Sequence, residues 1–187
     1  MISEQDYIKA AKRIGCEIES IKAVDAIESR GSGFLTNGDP KILFEPHIFF
    51  KELKKKYGKD PKITDICYPV WGTKPYGSVS IQHKRLQEAI KIDRECALKS
   101  ASWGRFQILG NNYKSCDCNN LQEFINKIYK SEADHLDLFV SFIINENLED
   151  ELIHKNWKGF AASYNGKFYY KNAYDKKLKE AYEKFKK

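Results

Sequence analysis

Apolar residues recur every three or four positions along most of this chain, the spacing that places them on one face of an α-helix. The first such stretch ends at Ile14 and is followed by Gly15, a residue type that commonly terminates helices. A second apolar stripe runs from Ile18 to Ile27, and Glu28 lies next to it, at its border with solvent. The pattern therefore predicts two amphipathic helices, and the second of them ends in a carboxyl group.

The same spacing predicts that most of the remaining chain is helical. Pro46 is suited to the first turn of a helix that continues to Tyr57, with Gly58 after it as a cap. Ser131 and Asp134 resemble a capping box at the start of a later helix. Further helices are predicted over residues 79–98, 121–129, 132–145, 148–154, 157–164 and 173–187.

The pattern changes between Gly33 and Glu45, where it predicts a β-hairpin. Residues 34–36 and 41–44 flank Asn37-Gly38, a pair that favours tight hairpin turns. No other segment gives a clear β signal. The expected fold class is therefore α+β and mostly α, with a small β-hairpin lobe.

Length and composition are those of one folded domain. The chain has 187 residues, of which 42% are apolar and 13% aromatic, which is enough for a substantial core. We expect a single domain over residues 1–187, with residues 58–99 as an inserted helical lobe. Residues 58–78, rich in Gly, Pro, Lys and Tyr, are predicted to form a surface connection that exposes Trp71 and Tyr76.

The net charge of +6 favours polyanionic surroundings, although it also serves solubility. Seven lysines lie between residues 171 and 187, where a basic amphipathic helix is predicted. Its lysines either contact anionic wall polymers or membrane, or only face solvent while its apolar side packs on the domain. Nucleic-acid binding is not expected, because basic residues elsewhere are mixed with acidic ones.

The five cysteines predict neither a disulfide framework nor a metal site. Their number is odd, and Cys116 and Cys118 are separated by one residue, whereas zinc ligands are usually separated by two to four. The chain contains no apolar run of about 18 residues that could span a membrane. Its first residues lack the basic and apolar regions of a signal peptide, so we expect synthesis in the cytoplasm.

Glu28-Ser29 is the strongest candidate for chemistry. The last carbonyl groups of a helix carry partial negative charge, which disfavours a second negative charge and raises the pKa of a carboxyl group beside them. A glutamic acid that keeps its proton near neutral pH can act as a general acid. Arg30 would oppose this effect if its guanidinium group folded back onto Glu28.

Two later segments, Gly104-Arg105-Phe106-Gln107-Ile108 and Ser163-Tyr164-Asn165-Gly166, complete a recognisable set with Glu28-Ser29. The set resembles the signature of the lysozyme-like superfamily, which includes lytic transglycosylases and goose-type lysozymes. Transglycosylases have Gly-Leu-Met-Gln and Ala-Tyr-Asn at the last two positions, so Arg105-Phe106 and Ser163 depart from that pattern. With residues 42–49 and 101–112, nearly the whole chain resembles the N-acetylmuramidase family of phage endolysins.

This resemblance implies a lysozyme-like fold and cleavage of the peptidoglycan glycan between N-acetylmuramic acid and N-acetylglucosamine. Glycoside cleavage needs an acid for the leaving oxygen and a group that stabilises the oxocarbenium-like transition state. Glu28 is the candidate acid. Glu45 is the candidate second carboxylate, although it could instead cap the helix after Pro46 or pair with His47. Asp39 is a weaker candidate, because Asp before Pro is common in turns.

The remaining candidates are substrate-binding residues. Ser29 and Ser102 could orient Glu28 or an acetamido group, and Gln107 could bridge sugar and backbone. Tyr164 could direct its phenol at Glu28 or at a sugar ring, or belong to the core. Asn165 could bond the N-acetyl group. Trp103 is either a sugar-stacking platform or a core anchor.

Three functions stay open from the sequence. A hydrolase would finish the reaction with water, whereas a lytic transglycosylase would use the muramic 6-hydroxyl and leave an anhydro product. A basic, non-enzymatic wall-binding protein is the third. We expect a monomer that needs no cofactor or metal, is made in the host cytoplasm and reaches the wall through a holin-type pore.

Overall fold

Ten α-helices and a small antiparallel sheet form the regular structure of the described residues, which are 1–29, 31–166 and 169–187 of a computed structural model. The helices are α1 (Glu4–Ile14), α2 (Ile18–Glu28), α3 (Pro46–Tyr57), α4 (Gln82–Ile90), α5 (Arg94–Lys99), α6 (Leu121–Lys130), α7 (Glu132–Asn145), α8 (Glu149–Ile153), α9 (Trp157–Tyr164) and α10 (Tyr174–Phe185). The strands are β1 (Ile42–Phe44), β2 (Ala101–Trp103) and β3 (Ile108–Leu109).

Local capping sets the ends of several helices, as the sequence predicts. Gly15 ends α1 and Gly58 ends α3, both in the left-handed conformation that glycine adopts without strain. Pro46 is the first residue of α3, and the Ser131 side chain accepts a hydrogen bond from the backbone N–H of Asp134 at the start of α7. The structure confirms these predictions. Each could be made from the sequence because a cap depends on residues that are close together in the chain.

The predicted hairpin is only partly correct. The turn forms, with Gly38 at a φ of 87° and its N–H bonded to the carbonyl of Leu35, but Phe34 and Pro40 make only an isolated bridge. Strand β1 pairs instead with β2, in a register that sets Leu43 opposite Ser102. The sheet has the order β1-β2-β3, so β2 and β3 are strands that the sequence pattern missed.

The single helix predicted over residues 79–98 is wrong in detail. A 3-10 turn over Val79–Ile81 leads into α4, and α5 is a separate helix. The break has a local cause, because the Asp93 side chain accepts a hydrogen bond from the backbone N–H of Cys96 and begins a new helix. Residues 59–78 connect these helices to α3 without a helix or strand of their own.

One hydrophobic core joins the helices to the sheet. Leu86 of α4 and Ala97 of α5 belong to the same core cluster as Ile21 and Val24 of α2. The ring of Phe106 stacks on that of Phe139 of α7 at 4.5 Å. Helices α4 and α5, which lie within residues 58–99, thus share the core of the other helices. That residues 58–99 form an inserted lobe stays a prediction.

The structure decides between the two roles predicted for Trp103, a sugar-stacking platform and a core anchor. Its side chain is only 1% exposed and its indole N–H donates to the carbonyl of Leu98 at 3.0 Å, so Trp103 anchors the core and is not a sugar platform. The five cysteines are free thiols. The described residues contain neither a cluster of three or more potential metal ligands nor a helix that could cross a membrane.

Candidate active site

Glu28 is the last residue of α2, and the burial of that helix fixes where its carboxyl group lies. Ile21 and Val24 are fully buried, which holds one face of α2 against the core. The next residue, Ser29, is buried, and its N–H bonds to the carbonyl of Asp25 at 2.9 Å. Glu28 itself is half-buried, so its carboxyl group lies at the boundary between core and solvent, as the sequence predicts.

Asn165 makes a direct contact with this carboxyl group. Its side-chain Nδ2 donates to Oε1 of Glu28 at 2.9 Å across 137 residues of sequence. Asn165 follows α9 as its cap, which places it beside the end of α2. Its Oδ1 is buried and has no hydrogen-bond partner among the described residues. The amide thus orients Glu28 through its N–H, and its oxygen is an acceptor that the described residues leave unused.

Tyr164 directly precedes Asn165 in the chain and packs against the core. Its hydroxyl donates to the carbonyl of Phe106 at 2.8 Å, and its ring stacks on Phe160 at a centroid distance of 5.2 Å. Burial and the nearby charge of Glu28 raise the pKa of Tyr164 well above its usual range. The phenol therefore stays neutral and ties the Phe106 segment to α9 beside Glu28.

Gln107 adopts a strained backbone conformation, with a φ of 50°. Its side-chain Nε2 donates to the carbonyl of Gly104 at 2.9 Å and lies 3.5 Å from that of Lys41. Gly104 has a φ of 68°, and a Cβ added there would lie within 3.1 Å of three atoms of the His135 ring, so a larger residue does not fit. The motif is therefore a tight turn between β2 and β3, pinned to the residue before β1.

Arg105 is the functional residue that sequence reasoning missed. Its guanidinium group donates to Asp25 at 2.7 Å, to Glu132 at 2.8 Å and to the carbonyl of Gly31 at 2.6 Å. The side chain of Tyr7 donates to Asp25 as well, at 2.6 Å. The signal was present, since an arginine stands where related motifs have leucine, and a buried arginine requires carboxylates around it.

Glu132 extends this network to the loop after Glu28. It accepts hydrogen bonds from the N–H of Gly33 at 2.6 Å and from the hydroxyl of Ser32 at 3.2 Å. Burial raises the pKa of Glu132, but the hydrogen bond from Gly33 and the charge of Arg105 outweigh it and lower the pKa overall. The network, which we call the Arg105 clamp (Asp25, Arg105 and Glu132), fixes the loop over Gly31–Gly33.

Glu45 is half-buried at the start of α3, where its N–H bonds to the carbonyl of Ser100 at 2.8 Å. Its carboxyl group accepts a hydrogen bond from the hydroxyl of Tyr76 and lies 3.5 Å from Nδ1 of His47. Burial raises the pKa of Glu45, and the Tyr76 hydrogen bond offsets part of that rise. Tyr76 is therefore half-buried and bonded, and the prediction that it is exposed is wrong.

The candidates thus fall into two groups. In the first group Asn165 bonds to Glu28, and its chain neighbour Tyr164 bonds through its hydroxyl to the carbonyl of Phe106. Glu45 belongs to the second group. It lies four residues beyond Lys41, whose carbonyl is near the Gln107 side chain, and four residues span about 13 Å along an extended strand. Ser102 is half-buried in β2, between Leu43 and Leu109.

Asp39 and Arg30 are the two other residues that the sequence raised for the site. Asp39 accepts a hydrogen bond from the Asn37 side chain at 2.8 Å and its N–H bonds back to Asn37, which is turn chemistry. Arg30, which was considered as a partner that could lower the pKa of Glu28, lies outside the described residues.

Comparisons with known proteins agree with this arrangement. A family model for N-acetylmuramidase matches residues 17–186. The crystal structure of a Burkholderia AP3 phage endolysin is similar with a TM-score of 0.86 and 33% sequence identity, covering 99% of this chain and 71% of that one. No match was found among curated proteins.

These findings confirm the predicted fold class, which is mostly helical with a small sheet and lysozyme-like. The family match covers both groups of candidate residues, from Glu28 and Glu45 to Asn165. The chain therefore belongs to the N-acetylmuramidase family.

Proposed function

We propose that this chain is an endolysin that hydrolyses the β-1,4 bond between N-acetylmuramic acid and N-acetylglucosamine in peptidoglycan. Its family makes peptidoglycan the substrate class, and the similar phage protein is an endolysin. The observation that carries the proposal is the hydrogen bond from Asn165 to Glu28, since it joins two distant motifs around one half-buried carboxyl group.

In this proposal Glu28 is the general acid. It gives its proton to the glycosidic oxygen as the bond from that oxygen to the anomeric carbon breaks, and the sugar develops oxocarbenium character. Asn165 is a positioning residue that holds the carboxyl group by one oxygen. The unused Oδ1 of Asn165 is an acceptor for a substrate N–H, in agreement with the expected contact to an acetamido group.

Glu45 is the proposed second carboxylate, which would position water or stabilise the positive charge on the sugar. Its place at the end of β1 supports this role, because the strand forms one side of the small sheet that also carries Ser102 and Gln107. Ser29, Ser102 and Gln107 are proposed to contact the glycan or to orient the groups that do.

A glutamine variant of Glu28 tests the central assignment. We expect Glu28→Gln to abolish clearing of purified peptidoglycan, because an amide keeps the shape of the side chain but has no proton to give. Glu88→Gln is the matched control, since Glu88 is exposed on α4. Clearing by Glu28→Gln at the rate of the control would disprove the role of Glu28.

A transglycosylase outcome is the second candidate, and the hydrogen bond that already engages the Glu45 carboxyl group favours it. Glu45 accepts a hydrogen bond from the Tyr76 hydroxyl at the end of β1, so part of its carboxyl group is already engaged within the protein. Without a second carboxylate, the muramic 6-hydroxyl could attack instead of water. Mass spectrometry of the digested glycan decides the matter, because hydrolysis gives reducing muramic ends and transglycosylation gives anhydro-muramic ends.

A non-enzymatic wall-binding protein is a weaker candidate, because the family is defined by muramidase activity. The Glu28→Gln variant separates the two classes, since a binding protein would lose nothing by it. For the biological setting, we propose synthesis in the host cytoplasm and release to the wall through a holin-type pore. Expression with and without a holin tests this route, and lysis should require the holin.

A further inference from the structure

Residues 70–73 form a tight turn that presents an aromatic ring to solvent. The hydroxyl of Thr73 donates to the carbonyl of Val70 at 2.7 Å, and the Thr73 N–H lies 3.4 Å from the same oxygen. Gly72 has a φ of 78°, as the third residue of a type II turn requires. Trp71 occupies the second position and is 62% exposed. The turn therefore fixes the backbone on which this large side chain is carried.

The same segment is anchored beside Glu45. The carbonyl of Tyr76 accepts hydrogen bonds from Gln82 at 2.7 Å and from Arg85 at 2.5 Å. Gln82 is 1% exposed, and its Oε1 accepts from the backbone N–H of Phe44 in β1 at 3.1 Å. These bonds hold the backbone of Tyr76 against the strand that ends at Glu45, and the Tyr76 hydroxyl completes the link by donating to that carboxyl group.

Trp71 lies next to this link. Burial and the Glu45 carboxylate raise the pKa of Tyr76, and a polar contact from the Trp71 side chain acts in the opposite direction. The exposed Trp71 ring thus belongs to the short segment whose Tyr76 hydroxyl bonds to Glu45.

The other tryptophans of the chain are used differently. Trp103 is 1% exposed and Trp157 is 8% exposed, and both belong to the core. Burying Trp71 in the same core would have stabilised the fold by removing a large apolar surface from water. Because Trp71 lies in an exposed turn, the fold does not gain that free energy. An aromatic side chain offers a large contact surface with only two rotatable bonds, so little freedom is lost when a ligand covers it.

We propose that Trp71 forms a glycan subsite, on which an N-acetylated sugar stacks on the Glu45 side of the cleft. The inference rests on the proposed function, because it takes the glycan cleaved in that function as the ligand of Trp71. Residues 59–78 would then form one wall of the substrate site, with Tyr76 fixing the second carboxylate and Trp71 binding the neighbouring sugar. The ligand class is an uncharged pyranose ring, which presents flat C–H faces to the indole.

Binding measurements on an inactive background test this subsite. The probe is peptidoglycan glycan strands freed of their peptides, titrated into Glu28→Gln by calorimetry. Adding Trp71→Ala should weaken the affinity by roughly three- to tenfold, the loss of one aromatic contact. Trp71→Phe should restore most of it, because the phenyl ring keeps a stacking face. Ile63→Ala is the matched control, since Ile63 is 66% exposed in the same segment.

Affinities that are equal in Glu28→Gln and its Trp71→Ala derivative would overturn the proposal. Equal losses in Trp71→Phe and Trp71→Ala would also overturn it, because the indole N–H rather than the ring face would then matter. Thermal unfolding of each variant identifies losses due to misfolding. If Trp71→Ala misfolds, the test uses two other measurements: the affinity of Trp71→Phe and the fluorescence of Trp71 in Glu28→Gln.

Fluorescence reports on Trp71 directly, because the two buried tryptophans contribute a constant background. Glycan strands should quench or shift the emission of Glu28→Gln, and Trp71→Phe should remove that change. An emission that does not respond to saturating glycan would overturn the subsite. A failure of the proposed function would look different, since clearing by Glu28→Gln would then persist whatever happens at Trp71.

Discussion

At the scale of single residues, the contact between Asn165 and Glu28 is the most informative feature of the site. A hydrogen bond within a protein contributes about 0.5–1.5 kcal/mol. Here it also selects one orientation of the carboxyl group, on which proton transfer to a substrate depends. The Oδ1 of the same amide has no hydrogen-bond partner among the described residues, and we propose that it accepts from the substrate.

Asn165→Ala should therefore lower kcat by about 10- to 100-fold, because the acid loses its orienting partner and the substrate loses an acceptor. Steady-state kinetics on soluble glycan fragments provide the measurement. Asn126→Ala is the control, since Asn126 is exposed on α6, away from the site. A kcat for Asn165→Ala within twofold of the control, with the fold intact, would contradict the positioning role.

Tyr76 controls the ionisation of Glu45 at the same scale. Burial raises the pKa of Glu45 and the Tyr76 hydroxyl lowers it, so Tyr76→Phe should raise that pKa further. If Glu45 works as a carboxylate, the acid limb of kcat/KM should move to higher pH in Tyr76→Phe. The profile would be measured over roughly pH 4–8.

Glu45→Gln is the control for this profile, because it removes the titrating group but keeps an acceptor for the Tyr76 hydroxyl. The limb assigned to Glu45 should then disappear. A limb that stays in place in both variants would exclude Glu45 from the reaction and favour the transglycosylase outcome.

Sequence reasoning identified Glu28, Tyr164 and Asn165 as a group, but not how they interact. Asn165 was expected to bind the substrate, whereas its amide N–H groups first serve Glu28. Tyr164 was given two alternative roles, and the structure combines both. The contact between Tyr76 and Glu45 spans 31 residues, and no local pattern indicates such a pairing.

At the scale of elements, the Arg105 clamp joins the turn between β2 and β3 to α2, α7 and the loop after Glu28. Asp25 and Glu132 are 4% and 7% exposed, and Arg105 makes an ion pair with each of them. Removing the cation from a buried pair costs about 3–5 kcal/mol, because uncompensated charges stay in the interior. The clamp therefore stabilises the fold and the position of the loop together.

Arg105→Leu, which installs the residue of the transglycosylase pattern, should lower Tm by about 10 °C in a chain of this size. Differential scanning calorimetry is the measurement. Arg13→Leu is the control, because Arg13 makes an ion pair with Asp137 that is largely exposed. Equal shifts in the two variants would show that the buried carboxylates do not depend on Arg105.

Helix α10 is attached through Glu17, at the start of α2. Its carboxyl group contacts Lys155 at 2.6 Å and accepts from the hydroxyl of Tyr182 at 2.6 Å. The Lys155 and Tyr182 hydrogen bonds lower the pKa of Glu17 from 4.5 to about 2. A lowered pKa in the folded state gives stability that is present above pH 4.5 and is lost as the pH falls towards 2.

Glu17→Gln should therefore lower Tm slightly at neutral pH and have a diminishing effect as the pH falls through this window. The effect is modest because the pair is partly exposed and screened by solvent. Thermal melts followed by the emission of Trp157, whose ring lies 5.5 Å from that of Tyr182, report on α10. A difference in Tm that is constant from neutral to acid pH would contradict this attachment.

The elements themselves were predicted where local signals set them. Helix ends at Gly15, Pro46 and Gly58 follow from backbone preferences of single residues. The sheet was not predicted, because β1 pairs with β2 across about sixty residues and each strand has at most three residues. Alternation over so short a length carries almost no signal.

At the scale of the whole molecule, the net charge of +6 and the packing of α10 belong together. Leu178 and Tyr182 are buried, so α10 packs its apolar face on the domain, while most of its lysines face solvent. The predicted packing of the apolar face is therefore confirmed, and the exposed lysines form a basic surface on α10. We propose that this surface raises affinity for the wall and takes no part in the chemistry.

Replacing Lys176, Lys179 and Lys184 by glutamine should weaken sedimentation with intact, teichoic-acid-bearing walls on the order of tenfold at low salt. The difference should vanish at high salt, because exposed charges are screened within about 10 Å at 0.1 M. Replacing the exposed Lys9, Lys12 and Lys114 removes the same net charge from other surfaces and is the control. Equal losses in the two triple variants would mean that total charge matters and α10 does not. Cleavage of short soluble glycans should be unchanged in both, because the lysines lie outside the Glu28 site.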